Sequence, residues 1–222
     1  MGLLSTADFR LLSIPDEDPV LVGAGSLQWV PLRRRLGIGA FGVNAFRAAE
    51  EGGAVIEDHV ESPGQEELYI VITGRVRFTI ADEQVDAAAG TAVFVARPEV
   101  RRSGVALENG TTVVAVGGWR GEPYHSLPWE PIYLAQEAML RGDWPEAAAV
   151  LEREAGDHLD TAIVQFRLAC CHAQMGELDR AASELRHAVE VNPGMRDRAE
   201  SEGQLSPLRD HGVWADVIGD RG

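Results

Sequence analysis

The spacing of apolar residues changes partway along the chain, and this change constrains the fold more than any other feature. Through about residue 120, apolar and polar residues alternate with a period of two, as they do in β-strands. After Pro128-Trp129-Glu130-Pro131 the spacing is helical almost to the end. The sequence therefore predicts an α+β protein of two domains, an all-β domain over residues 1–125 and an all-α domain over residues 126–222.

Six segments of the first domain alternate as strands do, and turn residues such as Ser62-Pro63-Gly64 and Asn109-Gly110 separate them. Many short strands joined by tight turns are typical of a sandwich or barrel, in which sheet edges are closed or paired. The six segments are 41–48, 54–61, 67–73, 75–80, 91–96 and 111–118.

The charge of the chain argues against several classes of partner. It contains 20 basic and 35 acidic residues, and its net charge of −15 repels nucleic acids and anionic membrane surfaces. Every basic residue is arginine, so Schiff-base chemistry and a P-loop lysine are excluded. We expect no nucleic acid and no membrane partner, because no run of about 18 apolar residues is present either.

The N-terminus and the cysteines predict a cytoplasmic protein. The first residues include early acidic side chains and lack the basic region of a secretion signal. Cys170 and Cys171 are adjacent and are the only cysteines, so they form neither a disulfide framework nor a metal knuckle.

The second half contains a repeat with a period of 34 residues. The positions Leu134, Ala135, Gly142, Ala147 and Leu151 recur as Leu168, Ala169, Gly176, Ala181 and Leu185. Over about residues 130–193 this pattern resembles tetratricopeptide repeats. The resemblance implies antiparallel helix pairs, then closing helices, that act as an interaction scaffold for a protein partner. A structural prop or dimer strut is the alternative.

Two motifs of the first domain resemble those of the cupin superfamily. One is Gly53-x5-His59-x-Glu61 followed by Glu67-x6-Gly74, and the other is Gly-Thr-Ala-Val-Phe-Val-Ala-Arg-Pro at 90–98. The resemblance covers about residues 40–118 and implies a small double-sheet jelly-roll barrel. Because cupin barrels commonly pair, we also expect a homodimer.

The same resemblance implies a ligand site. Cupins that bind metal use two histidines and a glutamate from the first motif and a third histidine from the second. His59 matches the first histidine, Glu61 stands where the second would be, and Glu67 occupies the glutamate position. Arg101 falls where the last histidine is expected. His59 is the only histidine in the first 124 residues, so a three-histidine site is excluded.

Strand alternation predicts which side chains accompany His59. It places Glu57, His59 and Glu61 on one face of a strand, and Glu67 and Tyr69 on one face of the next. The pattern alone favours faces turned to water, whereas the resemblance favours an inward His59. One imidazole with two carboxylates would suit Mn or Fe rather than tetrahedral zinc.

Arg101 would add a fixed positive charge to this group. We expect its guanidinium to pair with Glu61 or Glu67, or to bind a ligand carboxylate or phosphate by a two-pronged contact. Arg101 and Arg102 are adjacent, so at least one should point outward. The added charge argues against a catalytic metal, so no cofactor is expected, with Mn or Fe as the alternative.

Three functions remain open. The first is a barrel with a degenerate metal site that binds a small molecule, anionic or not, coupled to a helical interaction module. The second is a metal-dependent enzyme of dioxygenase or isomerase type that uses His59, Glu61 and Glu67. The third is a structural dimer with a packed barrel. The missing histidines favour the first, in which turnover is not required. Its predicted ligand-binding residues are Glu57, His59, Glu61, Glu67, Tyr69 and Arg101.

Overall fold

Two compact units make up the chain, residues 1–126 (the barrel unit) and residues 127–222 (the helical unit). The computed structural model describes residues 4–5, 9–22 and 27–218. Strands dominate the first unit and helices form the second, so the predicted α+β organisation is confirmed.

Short strands follow one another through the barrel unit, interrupted by one helical turn at 14–16 and a short helix, α1 (Leu32–Leu36). In chain order the described strands are β1 (Leu4–Ser5), β2 (Arg10–Leu11), β3 (Val20–Val22), β4 (Leu27–Val30), β5 (Gly42–Ala48), β6 (Ala54–His59), β7 (Gln65–Thr73), β8 (Arg75–Ile80), β9 (Glu83–Ala88), β10 (Ala92–Val95), β11 (Arg102–Ala106) and β12 (Thr112–Trp119).

Two antiparallel sheets contain most of these strands. The larger sheet has the order β10-β7-β12-β5-β4-β3, and the smaller has the order β6-β11-β8-β9, while β1 and β2 pair separately. Because β6 and β7 are consecutive in the chain but belong to different sheets, the chain crosses between the sheets at 60–64. That crossing brings Glu61 close to the start of β7.

The buried core of the barrel unit lies between the two sheets. Val71 and Val113 from the larger sheet and Val76 and Phe78 from the smaller sheet are all inaccessible to solvent in one cluster. Each such side chain contributes about 1.5–3 kcal/mol through its burial. Toward its beginning, the same inward face of β7 carries Glu67 instead of an apolar residue, so the core borders a polar group there.

The pairing of β6 with β11 is irregular, and this overturns the predicted face of Glu57. His59 pairs with Arg102, Ile56 with Gly104 and Ala54 with Val105, so β6 contains extra residues relative to β11. Such bulges break the alternation of side chains. As a result the Glu57 side chain is exposed, whereas His59, two residues further on, is half-buried.

Strand β11 was not predicted from the sequence. Its residues, Arg-Ser-Gly-Val-Ala, include a glycine and lack a clear apolar alternation. The packing around this glycine is close, because a Cβ atom at Gly104 would lie 3.2 Å from Val76 Cγ1 and 3.3 Å from Ile56 Cβ. The strand therefore has the composition of a loop although it lies between β6 and β8.

Helices occupy the helical unit, and the pairs α2 with α3 and α4 with α5 each pack as a hairpin. Helix α4 contributes to two buried clusters, one shared with α2 and α3 and the other with α5 and the later helices. The described helices of this unit are α2 (Trp129–Leu140), α3 (Trp144–Ala155), α4 (Ala162–Met175), α5 (Leu178–Val191), α6 (Met195–Ser201), α7 (Ser206–Arg209) and α8 (Trp214–Ile218).

Positions that repeat after 34 residues have matching environments. Ala147 and Ala181 are fully buried, and Leu151 and Leu185 are as well. The glycine at the end of α4, Gly176, has a positive φ of 78°, which permits the left-handed turn that ends a helix. The hairpins are thus observed, and their assignment to the tetratricopeptide class stays a prediction. Within the described residues, no helix has the length and apolar character to cross a membrane.

Candidate functional site

His59 lies at the end of β6, where the bulge turns it away from the exposed face. Its Nδ1 atom is 2.8 Å from the Glu57 carbonyl oxygen. A carbonyl only accepts hydrogen bonds, so Nδ1 carries a hydrogen and donates it. The other ring nitrogen, Nε2, faces the carboxylates of Glu61 and Glu67, and 31% of the His59 side chain remains exposed.

Two carboxylates converge on this Nε2 atom. Glu61 Oε1 lies 3.2 Å from it and Glu67 Oε2 lies 3.7 Å from it. Both glutamate side chains are 12% exposed. The Glu61 backbone N–H donates to the Pro98 carbonyl oxygen at 2.9 Å, which holds the crossing segment against the loop after β10. The structure thus brings three predicted residues together, from β6, the crossing segment and β7.

The carboxylates determine the protonation of His59. Burial alone would lower the pKa of His59, but its contacts with Glu61 and Glu67 outweigh burial and raise the pKa to about 10. In the metal-free protein the imidazole therefore carries a proton at neutral pH. The surplus of negative charge around Nε2 attracts a cation, whether a proton or a metal ion.

Tyr69 lies beside Glu67 on one face of β7, and this face, whose direction the sequence left open, is turned inward. Its hydroxyl donates a hydrogen bond to Glu67 Oε2, and its ring packs against Phe78 with 5.6 Å between ring centroids. Burial, together with the negative charge of Glu67, raises the pKa of Tyr69. The phenol therefore stays protonated and acts as a hydrogen-bond donor that orients Glu67.

Arg102, and not Arg101, is the arginine at this site. The Arg102 side chain is fully buried, with Nε 3.5 Å from Glu67 Oε2. Its Nη1 donates to the carbonyl oxygens of Pro98 and Val100, both at 2.9 Å. The prediction that Arg101 pairs with Glu61 or Glu67 is wrong, because the Arg101 guanidinium is exposed and pairs with Asp58 at 2.8 Å. The signal for Arg102 was its position next to Arg101, because adjacent residues of an extended chain point to opposite faces.

Glu57 does not join the site, since the bulge in β6 leaves its side chain exposed and only its carbonyl oxygen contacts His59. Of the six predicted site residues, the structure therefore brings together His59, Glu61, Glu67 and Tyr69.

The chemistry of the three ligand atoms fits a divalent metal ion. One atom each from His59, Glu61 and Glu67 lies within 4.8 Å of the others. A neutral imidazole whose Nδ1–H donates to a backbone carbonyl is the usual arrangement of a metal-binding histidine, because the contact fixes which nitrogen faces the metal. One nitrogen with two carboxylate oxygens suits Mn²⁺ or Fe²⁺ better than a structural zinc site.

A concavity lies on the outer face of the larger sheet, opposite to the face that carries Tyr69. This groove of about 300 Å³ is lined mainly by apolar side chains, including Phe41, Leu68, Phe94, Val116 and Trp119. Leu68 alternates with Glu67 and Tyr69 along β7 and pairs with Phe94 and Val116 on neighbouring strands, so its side chain projects from the outer face. The groove therefore opens on the outer face, and Glu67 is the residue of the His59 cluster that also lines it.

The helical unit contains one buried histidine, His172, and two buried cysteines, Cys170 and Cys171, among its described residues. His172 is buried, and its Nδ1 lies 2.7 Å from Glu184 Oε2. Burial raises the pKa of the Cys171 thiol to about 12 and raises that of Cys170 further, so neither is a thiolate at neutral pH. All three side chains are buried in the packed interior of the helical unit.

The fold and the site thus define a two-sheet antiparallel barrel with a His/Glu/Glu cluster, followed by a helical unit. No family profile and no curated protein sequence matches the chain. Solved structures of cupin proteins are similar to about half of it. A sugar phosphate isomerase of the cupin superfamily from Silicibacter pomeroyi has 19% identity and a TM-score of 0.37, covering 41% of this chain and 59% of that one.

Two further structures have comparable scores. A cupin protein from Bacteroides fragilis has 17% identity and a TM-score of 0.39, covering 55% of this chain and 93% of that one. A predicted oxalate decarboxylase from Thermotoga maritima has 19% identity and a TM-score of 0.36, covering 42% and 80%. Similarity at this level carries no information about ligand or reaction.

Proposed function

We propose that the barrel unit binds one divalent transition metal ion, Mn²⁺ or Fe²⁺, through His59, Glu61 and Glu67, and that it uses this centre to bind a small molecule. The observation that carries the proposal is the convergence of one imidazole nitrogen and two carboxylate oxygens within 4.8 Å. The mostly buried carboxylates have a cost in free energy unless a cation neutralises them.

Each proposed ligand is held by a separate contact. The Glu57 carbonyl orients the His59 ring, the Tyr69 hydroxyl orients Glu67, and the backbone of Glu61 is hydrogen-bonded to Pro98. These contacts already restrict the conformations of the three residues, so metal binding would cost less conformational entropy. A divalent ion bound there would supply Lewis acidity and coordination positions open to a small molecule.

A second candidate is a barrel that binds its small molecule without metal. The observation that favours it is charge balance, because a protonated His59 and the buried Arg102 together neutralise Glu61 and Glu67. In this case the ion pairs within the cluster balance its charges without a metal, and the ligand contacts the exposed part of His59. The predicted homodimer and the predicted protein partner of the helical hairpins stay predictions under both candidates.

Direct titration with Mn²⁺ tests the metal proposal. The full chain, purified without a polyhistidine tag and freed of metal with a chelator, is titrated with Mn²⁺ by calorimetry and by electron paramagnetic resonance. Variants His59→Ala, Glu61→Gln and Glu67→Gln each remove one ligand atom. Glu66→Gln is the matched control, because Glu66 is adjacent to Glu67 but its side chain pairs with Arg120 on the other face of β7.

We expect one Mn²⁺ per chain for the wild type and Glu66→Gln, and loss of binding in the three ligand variants. Binding that Glu66→Gln weakens as much as Glu67→Gln would indicate general attraction to an acidic surface and would contradict the proposal. Absence of Mn²⁺ and Fe²⁺ binding in the folded wild type would leave the metal-free candidate. Anionic compounds should then raise the melting temperature of the wild type but not of His59→Ala.

A further inference from the structure

One edge of the Arg102 guanidinium is buried without hydrogen bonds. Nη1 is satisfied by two backbone carbonyls, but Nε and Nη2 have no hydrogen-bond partner among the described residues, although the side chain is fully buried. Leaving charged donors buried without hydrogen bonds is costly in free energy. The two free nitrogens therefore mark a place where acceptor atoms are missing.

The free nitrogens lie on the same side of the planar guanidinium. Nε and Nη2 together form the edge that binds both oxygens of a carboxylate in parallel. Glu67 is the carboxylate that the described residues place nearest this edge, but its Oε2 is 3.5 Å from Nε and makes no hydrogen bond to it. That oxygen already accepts the hydrogen bond of Tyr69.

Metal binding would increase the need for an anion at this edge. The charge of a divalent ion held by His59, Glu61 and Glu67 would be balanced by the two carboxylates. The buried positive charge of Arg102 then has no counter-charge within the cluster. With metal bound, the site would therefore carry one positive charge that no described side chain compensates. A buried charge of this kind requires a partner of opposite sign.

We infer that Arg102 is an anion anchor, and that the molecule bound by the metal centre is a small carboxylate whose two oxygens pair with Arg102 Nε and Nη2. This inference rests on the proposed metal-binding function and names the class of ligand at that site. The anion would pair with the edge of Arg102 that lies nearest Glu67. The ligand must be small, because no part of the Arg102 side chain is exposed in the metal-free protein.

Linkage between metal and anion tests the inference. Mn²⁺ is titrated into the metal-free full chain in chloride buffer and then in the same buffer with acetate, malonate or inorganic phosphate. Arg102→Met removes the charge but retains a buried unbranched side chain, and Arg102→Lys retains the charge without the two-pronged edge. Arg101→Met is the matched control, because Arg101 is adjacent but is exposed and pairs with Asp58. Circular dichroism confirms that each variant is folded.

We expect a carboxylate to tighten Mn²⁺ binding to the wild type and to Arg101→Met by a coupling factor in the usual range of about 5- to 150-fold. The factor should fall to one in Arg102→Met and to an intermediate value in Arg102→Lys. In chloride alone, Mn²⁺ should bind Arg102→Met more tightly than wild type, since a repelling charge has been removed. Complexation of Mn²⁺ by the anions in solution is the same for all variants and cancels in their comparison.

The outcomes separate this inference from the proposed function. If Mn²⁺ binds the wild type and no carboxylate changes its affinity, the anchor is wrong and the metal site stands. Equal coupling in wild type and Arg102→Met would also overturn the anchor, as would coupling to phosphate but to neither carboxylate. Failure of Mn²⁺ to bind the folded wild type overturns both.

Discussion

Arg101 and Arg102 have the same side chain but opposite surroundings. Arg101 is in solvent beside Asp58, where an ion pair contributes little, about 0–1 kcal/mol. Arg102 is buried beside Glu67, with its guanidinium held by two backbone carbonyls. A buried ion pair is strongly destabilised when one partner is removed, because the other charge is left alone. The second arginine therefore has far more influence on the site than the first.

His59 should keep its proton well above the usual range of an imidazole. Its pKa of about 10 in the folded protein, against about 6.5 when unfolded, means that the charged form stabilises the fold. That contribution is fully present below pH 6.5 and is lost as the pH rises toward 10. In the metal-free wild type, NMR should show no titration of the His59 ring between pH 5.5 and 8.

Variants identify the source of this shift. Glu61→Gln should move the pKa of His59 toward 6.5, because it removes the nearest carboxylate, whereas Glu66→Gln should leave it unchanged. A wild-type His59 that titrates near pH 6.5 would show that the carboxylates do not face its ring.

At the scale of single elements, regular alternation was reliable in β7 and misleading in β6. Glu67 and Tyr69 share the inward face of β7, as the period of two predicts. In β6 the extra residues that pair irregularly with β11 separate Glu57 from His59, and bulges leave no clear mark in a single sequence. Strand β11 was missed because Gly104 interrupts its pattern, so Arg102 was not recognised as a site residue. The His/Glu/Glu group was found through motif resemblance, while the buried arginine required the strand pairing.

The close contact of β11 with its neighbours predicts that Gly104→Ala destabilises the barrel. The new Cβ would lie 3.2–3.3 Å from Val76 and Ile56, which is tighter than ordinary packing. Overpacking of this kind costs about 1–3 kcal/mol. Gly118→Ala in β12 is the control, because its Cβ would meet nothing within 4 Å. Urea denaturation should show a lower free energy of unfolding for Gly104→Ala and a change within about 0.5 kcal/mol for Gly118→Ala. Equal stability of the two variants would show that β11 can shift.

At the scale of the whole molecule, four buried clusters of the described residues are each made of residues from one unit. The clusters around Phe78 and Val30 belong to the barrel unit, and those around Leu185 and Leu151 belong to the helical unit. A change of apolar spacing accompanies this division in the sequence. A core between sheets requires apolar residues at every second position, whereas a core between helices requires them at helical spacing. The hairpins of the helical unit followed from the 34-residue repeat.

Because the described core around Leu185 contains no residue of the barrel unit, we expect a cavity in that core to leave the barrel site unaltered. Leu185→Ala should cost about 2–5 kcal/mol in the free energy of unfolding of the helical unit. Hydrogen–deuterium exchange measured by mass spectrometry should then be faster in α4 and α5 but unchanged in β6, β7 and β11. Leu140→Ala is the control, because Leu140 is 56% exposed. Faster exchange in the barrel strands of Leu185→Ala would show that the two units unfold together.

The two neighbouring arginines also bear on how faithfully the chain finds its fold. If β11 slipped by one residue against β6, Arg101 would turn into the barrel and Arg102 would turn to solvent. Because both residues are arginine, the slipped chain would still place one guanidinium inside and one outside, so these two charges do not distinguish the two registers. Gly104 does, because the slip that brings Arg101 to the place of Arg102 also brings Ser103 to the place of Gly104, where a Cβ atom would lie 3.2 Å from Val76 Cγ1 and 3.3 Å from Ile56 Cβ. The same glycine that makes β11 hard to recognise in the sequence therefore helps to hold the strand in register.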